Sequence, residues 1–368
     1  MRLATSMAVN LVGDNIDNMM GSASFQNTYY LQNKEVYQLK KFDLNLSENA
    51  SGKIITLSSD FAEANVKGKF KLLELANSVR SLLTNYFPSL SDRAKGKSES
   101  SEVFDYTISF KKTDALTRVF FPELDITPGT EVSGSYNSDK KDFLLNGSSR
   151  KFSYSEKNLK DLKIVVETKN GKLIANGWCK KILFSDSLWA DNVSISSSAL
   201  NDTIKLNLKW ENNGNEKYMG DVFALLTFID KERMKFKILP SHIIVADSAW
   251  TISKNNEIEI DSTAIALHDF SFSNGNQLIK ADGRISKNKE DQLTLLVSNF
   301  NMEAINVFTK RSGLKFKGML NGTASISSVY DNALFSSSMD FKNLWIKDRK
   351  STRLNSSHIQ KSRMPSSA

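Results

Sequence analysis

Apolar and polar residues alternate with a period of two along most of this chain, the pattern of strands with one face toward water and one away from it. In TIKLNLKWEN (203–212), Ile204, Leu206, Leu208 and Trp210 fall on one side, while Lys205, Asn207 and Lys209 fall on the other. The alternation returns at Val222, Ala224, Leu226 and Phe228, and again at Met234, Phe236 and Ile238. Phe104/Tyr106/Ile108/Phe110, Leu162/Ile164/Val166 and Leu293/Leu295/Val297 repeat it. Turn sequences stand between these runs: TKNGK (168–172), NNGN (212–215), SNGN (273–276) and SKNKED (286–291). Their Asn-Gly pairs suit tight hairpins, which need positive φ. The runs predict a mostly β fold of about eighteen short strands, many of roughly five to seven residues, joined as an antiparallel meander.

Glycines interrupt several runs, in VKGKF (66–70), VSGSY (132–136), IANGW (174–178), KADGRI (280–285) and FKGMLNGTASI (316–326). Their spacing is irregular, which excludes a fixed-period solenoid. A strand glycine marks a bend, a bulge or a close approach. GSASFQ (21–26) reads as a small-residue loop.

A period near 3.6 occurs in LLELANSVRSLLTNYF (72–87), where Leu72, Leu75, Ala76, Val79, Leu82, Leu83 and Tyr86 share a face before Pro88 stops the helix. TDALTRVFF (113–121) and NMEAINVFT (301–309) read as two further short helices. Three helices are too few to cover so many strands, and each strand has an apolar face to bury. The sheet therefore packs on itself as a sandwich, closes as a membrane barrel, or curls into a trough that takes an apolar ligand. Short runs and scattered aromatics, such as Phe104, Trp210 and Phe228, argue against the barrel. Strand physics alone leaves sandwich and trough open.

Composition adds exclusions. The 368 residues are 40% hydrophobic, too many for a disordered chain. The formal charge of +8 includes Arg349, Lys350, Arg353, Lys361 and Arg363 in the last twenty residues, where there is no acid; without them it is +3. A nucleic-acid partner argued from charge would rest on that tail, and none is expected. The serine-rich tail, STRLNSSHIQKSRMPSSA (351–368), has no periodicity and resembles adapter read-through appended to a gene fragment; a basic disordered tail is the competing reading. No window is apolar for eighteen residues, and MRLATSMAVNLVGDN lacks the continuous apolar core of a signal peptide.

No chemistry-bearing constellation emerges. His242, His268 and the tail's His358 are isolated, without metal-ligand spacing. Cys179 is the single cysteine, follows Trp178 in an alternating run, and reads as a buried structural thiol. There is no G-x-S-x-G elbow, P-loop or G-x-G-x-x-G. Asp282, Glu290 and Asp291 read as solvated turn carboxylates. The expectation is a protein that is not an enzyme and needs no cofactor or metal.

The order of segments resembles the TamB-like branch of the AsmA-type family, the translocation and assembly module proteins of the Gram-negative envelope. The similarity lies in FDLNLSENASGKIITLSSDFAEANVKGKFKLLELANSVRSLLTNYF (42–87), ALTRVFFPELDITPGTEVSGSY (115–136), AWTISKNNEIEID (249–261), residues 272–305 and LKFKGMLNGTASI (314–326). The resemblance implies a long, curled β-trough (a β-taco) with an apolar lumen, a few short helices, and residues 1–347 forming a single elongated segment. It implies a periplasmic position, anchored in the inner membrane by an upstream segment. It also implies phospholipid acyl chains as ligand and an outer-membrane assembly protein as partner, through a C-terminal region outside this chain. On that reading Ile204, Leu206, Leu208, Trp210, Val222, Ala224, Leu226, Phe228, Phe236 and Ile238 line the lipid groove. Leu72, Leu75, Val79, Leu82, Leu83 and Tyr86 lie on a helix that closes it or merely caps the sheet edge. The alternative is a structural or adhesin-like β-sandwich with no ligand.

Overall fold

The computed structural model describes the chain except residues 1, 33–34, 91–100, 115–116, 119–120, 156, 185–188, 213–216, 310–312, 348–351 and 354–368. The protein is mostly β, its strands antiparallel to their partners. It forms two compact units, Met1–Leu183 with Val193–Asn201, and Phe184–Asn192 with Asp202–Ala368.

In the first unit, β1 (Arg2–Val12), β2 (Met20–Gln32), β3 (Glu35–Asn49), β4 (Gly52–Ser59) and β5 (Ala62–Lys69) pair in chain order. After α1 (Leu75–Tyr86) come β6 (Val103–Phe110), the three-residue β7 (Leu124–Ile126), β8 (Thr130–Asn137), β9 (Asp142–Tyr154), β10 (Lys157–Lys169) and β11 (Lys172–Leu183). β6 pairs with β5 and β8, the pairing then continues through β9, β10 and β11, and β7 pairs with the end of β9. The turn between β10 and β11 has positive φ at both Asn170 and Gly171, as the Asn-Gly pair predicts. β12 (Trp189–Leu200) divides its residues between the units.

The second unit holds β13 (Thr203–Asn212), β14 (Tyr218–Phe228), β15 (Met234–Ile238), β16 (His242–Val245), β17 (Ser248–Ile252), β18 (Glu257–Ile260) and β19 (Ala264–Asn274). β20 (Gln277–Ser286), β21 (Gln292–Asn301), β22 (Lys315–Ser327), β23 (Leu334–Lys347) and β24 (Thr352–Arg353) follow. A 3-10 turn (Met302–Ile305) running into α2 (Asn306–Thr309) links β21 to β22. Between β14 and β19 the sheet is split: β15 and β18 carry one half of the ladder, β16 and β17 the other. Pro240, which has no N–H to donate, sits at the break. The wholly buried Asn256 bridges it. Its Oδ1 accepts from the Ile238 N–H at 2.8 Å, and its Nδ2 donates to the Ile238 carbonyl at 2.8 Å and to the Ser253 carbonyl.

Three expectations are corrected. The strands outnumber eighteen, and β2, β3, β9, β10, β22 and β23 run to 13–15 residues rather than five to seven. GSASFQ is not a loop but part of β2. Strand length therefore no longer argues against a membrane barrel, which leaves the scattered aromatics as the remaining argument. For β2 and β23 part of the cause is a β-bulge within the strand. Asn27, Asp269, Asn299 and Asn343 adopt left-handed φ of 46–53° inside strands, each where the register slips by one residue. In β21 the apolar face runs through Leu293, Leu295 and Val297, slips at Asn299, and resumes at Phe300. Alternation read from sequence stops at such a slip; the hydrogen-bonded ladder does not. Neighbouring strands support the bulges: Asp282 accepts from the Asp269 N–H at 2.9 Å, and Asn321 from the Asn299 N–H at 2.7 Å.

Helical expectations fare differently. The first helix is shorter than 72–87. Segment 301–309 is helical in two pieces. In 113–121 the Thr117 and Phe121 N–H groups bond back to the carbonyls of Thr113 and Thr117, although four positions there lie outside the described residues. The turn at 213–215 and most of the tail also lie outside them; Thr352–Arg353 pairs with Ile346 and Lys347.

Candidate functional site

Residues directly opposite each other on antiparallel strands point to the same face. In the first unit the register gives one continuous row, Gly21–Leu46–Ile55–Val66–Tyr106–Gly134–Leu145–Val166–Ala175. Two residues along lies a second, Ala23–Leu44–Leu57–Ala64–Ile108–Val132–Gly147–Ile164–Gly177. Every member of both rows is apolar except for the Tyr106 hydroxyl, which donates to the Leu144 carbonyl. The row between them, on the opposite face, begins Ser22–Asn45–Thr56–Asn65–Thr107–Ser133–Asn146. One face of the unit is thus hydrocarbon and the other mostly polar, with Ile54, Leu144 and Val165 set among its hydroxyl, amide and charged side chains.

The second unit repeats the arrangement. Its apolar row is Ile204–Leu226–Phe236–Ile258–Leu267–Gly283–Leu293–Ile326–Phe335. Leu206–Ala224–Ile238, Leu208–Val222 and Trp210–Gly220–Ile243–Trp250 flank it, and Phe228 opposes Met234. All ten residues expected to line the groove therefore occupy one face of β13, β14 and β15. Ala224 is buried; the other nine are half-buried.

The opposite face of this unit carries a set of ion pairs, with Phe223 and Leu225 among them. Asp221 receives Asn207 Nδ2 at 2.6 Å and Lys209 Nζ at 3.1 Å, and these two hydrogen bonds hold its carboxyl below the usual range. Lys235 bridges Glu257 at 2.9 Å and Glu259 at 2.7 Å, which raises its pKa and lowers that of Glu259. Arg284 reaches Asp261 and Asp291, and Lys280 pairs with Asp269. Of the expected solvated turn carboxylates, Glu290 and Asp291 lie in a turn-like stretch and Asp282 in β20; Asp282 and Glu290 are exposed, while Asp282 and Asp291 also accept hydrogen bonds.

Strand glycines belong to the apolar face, a role the sequence left open. Gly134 opposes Tyr106, Gly147 opposes Ile164, and Gly220 lies beneath the Trp210 indole. Each admits a large neighbour that a side chain would displace.

Two short segments lie over the apolar face. In the first unit, Leu82 and Tyr86 of α1 are buried against Tyr136, Phe104, Phe143 and Leu173. Tyr136 Oη donates to the Ser78 carbonyl at 3.1 Å, and Tyr86 Oη lies 3.0 Å from Thr168 Oγ1. Of the other expected helix residues, Leu72 and Leu75 are half-buried, whereas Val79 and Leu83 are 50% and 44% exposed. In the second unit, Ala304 and Ile305 pack on a cluster of Trp250, Val297 and Phe300.

His242 and His268 are both exposed, opposite Asp221 and Glu257 in register. Cys179 is buried, and burial pushes its thiol up. Among the described residues no three His, Cys, Asp or Glu side chains are grouped to hold a metal, and no helix is long and apolar enough to cross a membrane. No family model, curated protein or solved structure matches the chain.

Proposed function

We propose that this protein carries phospholipid by its acyl chains along the apolar face of its sheet, as a segment of a periplasmic bridge between two membranes. One observation carries the reading: apolar rows run unbroken across nine strands of each unit, yet most of their large side chains stay half-buried, with Leu46 buried and Phe335 exposed. In a sandwich interior, Ile204, Leu206, Leu208 and Phe236 would be buried against a second layer. Half-buried, they are left with hydrocarbon surface to offer a ligand. An acyl chain gains about 0.8 kcal/mol for each methylene it buries there, whichever row it lies on. Adjacent rows of similar chemistry allow hydrocarbon to shift without breaking a directional bond. The ionic opposite face keeps that side in water. Transport of this kind needs no nucleophile, general base or metal.

The resemblance to the TamB-like family supplies the location and the partners in this reading, an anchored periplasmic protein acting with an outer-membrane assembly protein. Mass spectrometry of phospholipid copurifying with the chain tests it. Stoichiometric lipid that survives washing supports lipid carriage, and lipid-free protein with the same fold supports the ligand-free adhesin-like reading.

A further inference from the structure

The two segments over the apolar face are held differently. The turn at Met302–Ile305 is pinned at both ends. Asn301 Oδ1 accepts from the Glu303 N–H at 3.0 Å, while Asn306 accepts from the Phe316 N–H at 2.7 Å and donates to the Phe316 carbonyl at 3.0 Å. α1 is fastened along its length instead: the Tyr136 hydroxyl donates to the Ser78 carbonyl, Tyr86 Oη lies 3.0 Å from Thr168 Oγ1, and the Phe87 N–H closes its C-terminus on the Leu83 carbonyl. Glu74 at its N-terminus makes no side-chain cap bond, and the first turn carries no acid and the last turn no base to offset the helix dipole. Beneath it, Ser78 Oγ is buried and, among the described residues, has no hydrogen-bond partner, which weakens the seat further. Leu82 and Tyr86, with Phe87 beside them, pack the helix down, while Val79 and Leu83 stay outside the contact.

Its seat is part of the apolar face. Phe104, Tyr136 and Phe143 form a row by register, next to the half-buried row through Tyr106, Leu145 and Val166. Leu82 and Tyr86 pack on this first row and bury Tyr136, while Phe104 and Phe143 stay half-buried. The strand before α1 ends on a fixed point. Glu102, fully buried, accepts from the Lys71 N–H at 2.9 Å and exchanges backbone-linked bonds with Ser138.

We infer that α1 is a displaceable plug: Leu82 and Tyr86 occupy an acyl-chain seat on the first unit, and hydrocarbon binds there only when α1 lifts off, pivoting at the Lys71–Glu102 anchor. The inference rests on the lipid reading above and adds control of one of its seats. The test incubates the full chain with phosphatidylcholine vesicles containing a diazirine-acyl phosphatidylcholine, irradiates it, and locates the adducts by peptide mass spectrometry. In the wild type, label is expected on β13–β15 and sparse at Phe104, Tyr136 and Phe143. The double substitution Leu82→Ala, Tyr86→Ala is expected to raise label at Phe104, Tyr136 and Phe143 at least three-fold and leave β13–β15 unchanged. Unchanged label at these three residues, with β13–β15 labelled, overturns the plug and spares lipid carriage. Absence of label from both units overturns lipid carriage itself. Hydrogen exchange on the wild type gives a second readout: vesicles are expected to speed exchange of the α1 amides and leave Met302–Ile305 unaffected, and unaltered α1 exchange overturns the plug.

Discussion

The Trp210 indole covers Gly220 on the neighbouring strand so closely that a Cβ placed on Gly220 would lie 2.1–2.4 Å from three of its ring atoms. The two residues are direct cross-strand partners, so the glycine is the floor on which the tryptophan lies. Gly220→Ala forces the ring off its seat. Because the atoms displaced are the far end of a half-buried side chain, the expected cost is modest, about 1 kcal/mol, with a red-shifted tryptophan emission. At Gly134 an added Cβ meets the Leu144 carbonyl oxygen at 1.9 Å, and backbone cannot step aside. Gly134→Ala is therefore expected to cost about 3 kcal/mol, the upper range for overpacking. Urea titration of both variants checks the order, and equal losses would contradict it.

Asn256 closes the split in the second unit's ladder with three hydrogen bonds from one buried amide. Asn256→Leu leaves the Ile238 N–H and carbonyl without these partners, at a cost of about 1–3 kcal/mol for each group left unsatisfied. Thermal unfolding should fall by several degrees, whereas Asn255→Ala, one residue away and exposed, should lie within about 0.5 kcal/mol of wild type. A silent Asn256→Leu would show that the bridge is not needed.

Much of this was legible from the residues alone. The facing of Ile204, Leu206, Leu208 and Trp210 against Lys205 and Lys209 followed from period two, and register extends it across the sheet. Strand length was not legible, in part because a bulge such as Asn299 flips the parity of the residues after it and makes one long strand read as a short one. Nor was the seat of α1. Period 3.6 put Val79 and Leu83 on the same stripe as Leu82 and Tyr86, but the helix settles on the edge of that stripe, where Ser78, Leu82 and Tyr86 point down. The Asn256 bridge leaves no local pattern, since it depends on Ile238, eighteen positions away in the chain.

The bulge at Asn299 makes its own prediction. Asn299 has φ 47°, a conformation open to Gly and Asn and strained for β-branched residues. Asn299→Gly should be tolerated, and Asn299→Val should lose about 1–3 kcal/mol. If valine is as stable as glycine at this position in chemical denaturation, the left-handed bulge is not a constraint.

The ionic face sets the response to acid. Hydrogen bonds and cations hold Asp43, Glu63, Asp221, Asp230, Glu259, Asp261 and Asp269 below their ordinary pKa values. A depressed folded pKa contributes stability that is present above the unfolded value and is lost as pH falls through the folded one. Stability should thus be flat between pH 7 and about pH 5 and should decline from about pH 4 downward. The bridges are solvent-exposed, so molar salt should shrink the acid-sensitive part. A midpoint of unfolding that rises on acidification through pH 4 would reverse the sign required here.

Lipid carriage predicts different contacts for two adjacent residues. Leu208 lies on the apolar row opposite Val222, and Lys209 lies on the ionic face, paired with Asp221. A photo-crosslinking amino acid placed at each position in turn, irradiated in cells expressing the protein and analysed by mass spectrometry, reads the two faces separately. Phospholipid adducts at 208 and none at 209 are the predicted result. Equal labelling at both positions, or none at 208, would contradict a lipid path along this face.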